Sequence, residues 1–193
     1  NIPGVLLMAA LTPFIMPLID ESQRSRFEFN TYVYGDSGSG KSAITKLLVD
    51  YFEGSPNIIN LHSNKSEIDK IFEYKHCCVA IDDLCGTDSN RERENNEQKL
   101  SENLKRVQTP GQIVRDGKRI KNESMLFVTG EYLLKSSSTL NRCLVVNLKD
   151  PIPPKEINKL CRNKDQYLEM VRCFIEWVCN CLLYTSDAAD EAR

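Results

Sequence analysis

With 193 residues the chain is long enough for one domain with a substantial core. Its 41% apolar and 27% charged residues are ordinary for a soluble globular protein. A formal net charge of -2 excludes a broad basic footprint for nucleic acid and leaves only a local patch.

The apolar run GVLLMAALTPFIMPLI opens the chain. It is shorter than the roughly 20 residues that a bilayer span needs, and Pro13 and Pro17 interrupt it. Without a basic leader or a small-residue cleavage site, it is expected to be a buried helix beside the core rather than a span or a signal peptide. A polar link, DESQRSR, follows. FEFNTYVY (Phe27 to Tyr34) alternates and is aromatic and β-branched, which predicts a strand. KSAITKLLVDYF places Ala43, Ile44, Leu47, Leu48, Tyr51 and Phe52 at helical spacing, and Gly54 and Pro56 end that helix. NIINL predicts a short strand and SEIDKIFEY a short helix, with Ser66 and Asp69 spaced as a capping-box variant. HCCVAIDD is an apolar run closing on two acids, as a buried parallel strand would be.

GTDSNRERENNEQ is polar and predicts a mobile loop leading into a helix with Leu100, Leu104 and Val107 on its apolar side. QIVRDGKRIK predicts a hairpin turning at Asp116-Gly117. SMLFVTG and NRCLVVNL predict two further strands, and Pro151, Pro153 and Pro154 close the core. A last amphipathic helix is expected from about Asp165 to Asn180, with Tyr167, Leu168, Val171, Phe174, Ile175 and Val178 on its apolar face. Strands alternating with helices imply an α/β fold, a mostly parallel sheet between helices. The expected organisation is an N-terminal helical segment (1–26) packed on the core, a core domain (27–150) and a C-terminal helical segment (151–180). Residues 181–193 stand apart, because Cys181 to Glu191 resembles a translated sequencing adapter. The chain opens on Asn1 rather than Met, and the protein is expected to continue past both ends.

Eight cysteines invite a metal or disulfide reading, and their spacing opposes both. Cys77 and Cys78 are adjacent in an apolar run, no C-x-x-C pair exists, and the histidines are His62 and His76 alone. Free thiols, mostly buried, in a reducing cytoplasm are expected.

The residues from Gly35 to Ser42 (Gly35, Asp36, Ser37, Gly38, Ser39, Gly40, Lys41, Ser42) match the phosphate-binding pattern G-x-x-x-x-G-K-[ST] between a predicted strand and a predicted helix. The glycines let backbone N–H groups turn inward around an anion, and the helix start adds its positive end. Lys41 would reach the β- and γ-phosphates of ATP, and Ser42 would ligate Mg²⁺. Asp82 ends a buried strand beside this loop, where a carboxylate holds the Mg²⁺ shell. Asp83 either prepares the attacking water or caps the next turn. With NIINL between the loop and this strand, a further strand is expected to separate the two motif strands, as in ATPases that use an added catalytic acid. Thr129, at the end of LFVTGE, either touches the γ-phosphate or water or bonds to backbone. Glu131 is close by and has no assigned role. Arg142, just before CLVVNL, is either an arginine finger for a neighbouring subunit's nucleotide or a surface ion pair. A finger used in trans requires a head-to-tail assembly, which closes as a ring. Arg115, Lys118, Arg119 and Lys121 cluster on the hairpin, fitting a nucleic-acid backbone or a merely solvated turn.

In this order, YGDSGSGKS, AIDDL, VTGE and STLNRCLVV resemble the helicase-like P-loop ATPases of phages, plasmids and integrated elements, AAA+ proteins near the superfamily-three helicases and often joined to a primase. The resemblance covers about Leu6 to Leu148. It implies a five-stranded parallel core, hexamer-type homo-oligomeric rings, and ATP hydrolysis used to move along single-stranded DNA or open a fork. It also implies that the hairpin before LFVTGE lines the DNA pore. Such relatives often carry a primase, but no primase or origin-binding part is present in this piece, so a primase domain or partner outside it does not follow from these residues. The sequence departs in having Asp83 where many relatives have Glu. The competing readings are a nucleotide-gated regulatory or defence ATPase with slow turnover and, third, a small-molecule kinase, for which no acceptor pocket or arginine-bearing lid is evident.

Overall fold

The computed structural model describes residues 2–23, 29–51, 58–63, 65–84, 89–107 and 112–191, although the side chain of Asp83, among a few others, lies outside the description. Five parallel strands form the central sheet in the order β2-β3-β6-β1-β7. In chain order these are β1 (Asn30–Tyr34), β2 (Ile58–Asn60), β3 (Lys75–Leu84), β6 (Glu123–Gly130) and β7 (Cys143–Asn147), while β4 (Gln112–Arg115) and β5 (Lys118–Lys121) pair as a separate antiparallel hairpin. The expected separating strand is present, and it is β6, the strand of LFVTG, that lies between β1 and β3.

The apolar runs of β3 and β6 read as they do because both sheet faces are covered. Successive side chains alternate between two cores. Val33, Cys78, Ala80, Met125 and Phe127 pack with α1 (Ile2–Gln23) and α2 (Lys41–Val49). Tyr32, Val79, Ile81, Leu126 and Val128 pack with α4 (Asn90–Val107), whose Leu100, Leu104 and Val107 are buried as expected.

Helix α1 packs beside the core through Leu6, Ala10, Phe14 and Met16, as expected, and continues through both prolines. Pro13 has no N–H, so it leaves the Ala9 carbonyl without its helical donor. The Cys78 thiol lies 3.7 Å from that oxygen, and the Tyr51 hydroxyl donates to the neighbouring Ala10 carbonyl at 2.7 Å. The Cys78 thiol thus stands where the helix lacks its own donor, and Tyr51 anchors the next carbonyl to the core. No helix among the described residues is long and apolar enough to cross a membrane.

Several boundaries differ from expectation. The helix α1 extends into the polar link as far as Gln23. The polar run before Leu100 is helix from Asn90 onward, because Ser89 caps it: its hydroxyl accepts from Glu92 N–H and its carbonyl from Arg93 N–H; the expected loop at Gly86 to Asp88 lies outside the described residues. Its buried positions there are polar, Asn96 and Glu97, so no apolar period marked them. The prolines after β7 do more than stop the core. After the single turn α5 (Ser137–Leu140) and β7, Pro154 opens α6 (Pro154–Arg162), a first-turn position where its missing N–H costs no helical bond. The short helix after β2 is one turn of α-helix, α3 (Lys65–Ile68), passing into a 3₁₀ helix at Asp69–Glu73. Helix α7 runs from Lys164 to Glu191 and buries Val171 and Val178. The hairpin turns as expected, with Asp116 (φ 51°) and Gly117 (φ 75°) both left-handed, as a type I′ turn requires. The helix expected to reach Gly54 ends earlier, at Val49 with Asp50 as its C-cap, so Tyr51 packs in the core from outside the helix; Gly54 and Pro56 lie outside the described residues.

At the end of β6, Gly130 sits under the fully buried Tyr32. A Cβ there would lie 2.3 Å from the Tyr32 hydroxyl, which donates to the Tyr132 carbonyl. Gly130→Ala is therefore expected to lower stability by about 1–3 kcal/mol through overpacking. Tyr32→Phe should cost about 1 kcal/mol through the lost hydrogen bond. Urea unfolding of the double variant should show less than the sum, because the nearest clashing atom is gone.

Candidate nucleotide-binding site

The loop from Gly35 to Gly40 joins β1 to α2. Ser39 N–H closes a turn on the Asp36 carbonyl at 3.2 Å. Gly38 (φ 75°) and Gly40 (φ 92°) adopt left-handed conformations that other residues enter only at a cost. Gly40 is also the N-cap of α2 and supplies no side-chain acceptor, so the first N–H groups of the helix are left for an anion. Lys41 is buried, and its ammonium bridges the loop, donating to the Asp36 carbonyl at 2.7 Å and to Ser39 Oγ at 3.3 Å.

Asp82 ends β3 at the same edge. Ser42 Oγ donates to Asp82 Oδ1 at 2.8 Å, and the Thr129 hydroxyl donates to that same oxygen. Asp82 Oδ2 lies 3.0 Å from the ammonium of Lys46. Thr129 therefore spends its hydroxyl on the carboxylate rather than on backbone. Burial alone would raise the Asp82 carboxyl. The hydrogen bonds from Thr129, Ser42 and Lys46, with the Lys46 charge, outweigh it and hold the group below its ordinary value. A cleft of about 280 Å³ opens above these groups, lined by Ser37, Gly38, Lys41, Ser42, Asp82, Thr129 and Glu131.

The donor set suits a small hard cation. Ser42 and Asp82 offer oxygen ligands side by side, and Mg²⁺ characteristically takes one or two protein oxygens and completes its shell with phosphate and water. No group of three or more His, Cys, Asp or Glu suited to a metal occurs among the described residues. None of the described cysteines lines the cleft. Burial pushes the Cys77 thiol up to about 12 and Cys78 higher still; no described cysteine is in a disulfide, but against expectation only Cys77 and Cys78 among them are fully buried, because Cys161, Cys173 and Cys179 face outward from the C-terminal helices.

The structure brings Lys41, Ser42, Asp82 and Thr129 together with the loop from Gly35 to Gly40, and leaves Arg142 and the hairpin cations elsewhere. Asp83 follows in β3, but its side chain lies outside the description. Arg142 stands at the opposite end of the sheet, where its carbonyl accepts from Asn30 N–H, the first residue of β1. Its guanidinium donates to the Ser138 carbonyl (2.5 Å) and hydroxyl (2.9 Å). The hairpin also lies at that end, leading through Asn122 into the start of β6, which is roughly 25 Å long at the usual rise per residue. Lys118, Arg119 and Lys121 are exposed there, whereas Arg115 is paired with Glu73 at 2.6 Å. Sequence reasoning missed Lys46. It lies four residues after Ser42, and so on the same side of α2, which is the signal that could have found it.

Residues 30–147, from the first residue of β1 to the last of β7, match the family described as Novel STAND NTPase 3, nSTAND3. A comparison with curated proteins finds no match. Among solved structures, the chain is similar to the active helicase Cch of SCCmec type IV, with a TM-score of 0.58 and 12% identity over 84% of this chain and 31% of that one. It is also similar to the apo C-terminal region of NrS-1 in its A form, with a TM-score of 0.50 and 16% identity over 88% of this chain and 44% of that one. The chain thus spans a third to a half of the solved proteins it matches, and at such identities the likeness shows the fold alone. That fold is the α/β P-loop NTPase fold expected from the motifs, with a parallel sheet of five strands. With the whole sheet and the phosphate loop inside the match, the chain belongs to the Novel STAND NTPase 3 family.

Proposed function

We propose that the chain is the ATP-hydrolysing motor core of a helicase or translocase that acts on single-stranded DNA or a fork in the replication of mobile elements. The observation that carries the ATPase half is the convergence of Ser42 and Thr129 on one oxygen of Asp82, beside a buried lysine at a helix start. Lys41 holds the β- and γ-phosphates. Ser42 and Asp82 hold Mg²⁺, which when bound neutralises charge on the phosphates. Asp83, next along β3, prepares the attacking water, and Thr129 reports the γ-phosphate to β6. Because Arg142 stands at the far end of the sheet from its own chain's cleft, it serves a neighbour's nucleotide in a head-to-tail ring of the hexamer type. Lys118, Arg119 and Lys121 grip the DNA backbone, with Arg115 fixing the hairpin to Glu73. A primase joined to this core or recruited by it completes that reading.

A second reading is a nucleotide-gated regulatory or defence ATPase that turns over slowly. The family match supports it, since it names an NTPase and not a helicase. Tight ATP binding with negligible turnover, with or without DNA, would select it over the first.

Lys41→Ala is expected to abolish ATP hydrolysis, and Asp82→Asn to lower kcat by about 100-fold or more, as loss of a metal-holding charge does at such sites. Phosphate release from the assembled full-length protein measures both. Single-stranded DNA should stimulate turnover in the unaltered protein. Replacing Lys118, Arg119 and Lys121 with Glu should remove that stimulation. The log–log salt dependence of DNA binding should become shallower by about 0.7 for each phosphate that the hairpin no longer neutralises. DNA that never changes the rate contradicts the motor reading.

A further inference from the structure

Asp82 divides its two oxygens between different partners. Both hydroxyls, from Ser42 and Thr129, donate to Oδ1, whereas Oδ2 belongs to the Lys46 ammonium at 3.0 Å. The pair is ill suited to a purely structural role. The Lys46 side chain is 50% exposed, and half-exposed ion pairs contribute little to stability. Its place is more telling. The carboxylate that a divalent ion would need is already partnered by a cation, rooted one helical turn beyond Ser42, the other candidate ligand.

Resting on the nucleotide-binding reading above, we propose that Lys46 is a built-in counter-ion that competes with the divalent cation for Asp82 and so sets the magnesium requirement of the site. Two cations drawn to one carboxylate repel each other steeply at close range. One of them must yield, and the exposed one on a flexible stem can withdraw its ammonium into water. Lys46 then holds Asp82 neutralised, with its hydroxyl partners in place, until Mg²⁺ arrives with the nucleotide, and gives up Oδ2 on its arrival. Nucleotide without the metal would leave Lys46 on Asp82 and the metal-holding side of the cleft closed. The site would thus distinguish Mg²⁺–nucleotide from bare nucleotide through a residue outside the phosphate loop.

The test is a Mg²⁺ titration of fluorescent ADP binding to the full chain, with Mn²⁺ binding in the presence of ADP followed by electron paramagnetic resonance as a second readout. Lys46→Met removes the charge and keeps the stem, Lys46→Gln is a second neutral variant, and Lys46→Arg keeps the charge. The Mg²⁺ concentration at half-maximal binding should fall by about 3–10-fold in the neutral variants and stay within about twofold in Lys46→Arg, with Mn²⁺ moving in parallel. An unchanged midpoint in the neutral variants overturns the proposal. A raised midpoint also overturns it and assigns Lys46 to orienting Asp82 for the metal. Equal shifts in the neutral and Arg variants overturn it as well, since charge would then not matter. If the unaltered protein binds no nucleotide at any Mg²⁺ concentration, the nucleotide reading falls and this inference with it; failure of the midpoint shift alone leaves that reading standing.

Discussion

One carboxylate ties the nucleotide-binding end of the molecule together. Asp82 arrives on β3, accepts from Ser42 at the start of α2 and from Thr129 at the end of β6, and faces Lys46 one turn along α2. Three elements that meet through apolar packing elsewhere meet here through a single charged group. A partly buried charge persists only where donors compensate its lost hydration, and the hydroxyls and ammonium supply that compensation. The same donors keep the group ionised, which is the form a metal ion needs.

Sheet order makes this convergence possible. Because β6 runs between β1 and β3, the strand end carrying Thr129 is interposed between the phosphate loop and Asp82. In the proposed motor, this hydroxyl would report the γ-phosphate along β6. That strand leads back to the basic hairpin at the opposite end of the sheet. The nucleotide cleft lies at one end of the parallel strands, and Arg142 and the hairpin lie at the other. In the proposed motor the two ends would communicate along the strands or through a second copy of the chain.

Much of this was legible in the residues. The phosphate loop, Asp82 and Thr129 are polar groups at the ends of apolar runs, where burial makes them conspicuous, and the type I′ turn was spelled out by Asp116-Gly117. What stayed hidden has physical causes. The first half of α4 buries Asn96 and Glu97, so no apolar stripe marked it as helix. Helix α6 begins on a proline, which reads as a stop unless its place in the first turn is known. In α2 the buried positions include Lys41, Thr45 and Val49, because the helix serves the anion site as well as the core. Lys46 looks like a solvent-facing lysine until Asp82 is placed opposite it. Arg115 joins the other hairpin cations in sequence, but in the fold it belongs to Glu73.

In the proposed ATPase the groups around Asp82 direct water, and not another acceptor, onto the γ-phosphate of ATP. Turnover of ATP in ¹⁸O-labelled water by the assembled full-length protein tests it most directly, with the released phosphate read by mass spectrometry. Phosphate carrying an oxygen from the labelled water is expected. Transfer of the γ-phosphate to any other acceptor, or an absence of released phosphate under conditions where ATP is bound, would contradict it.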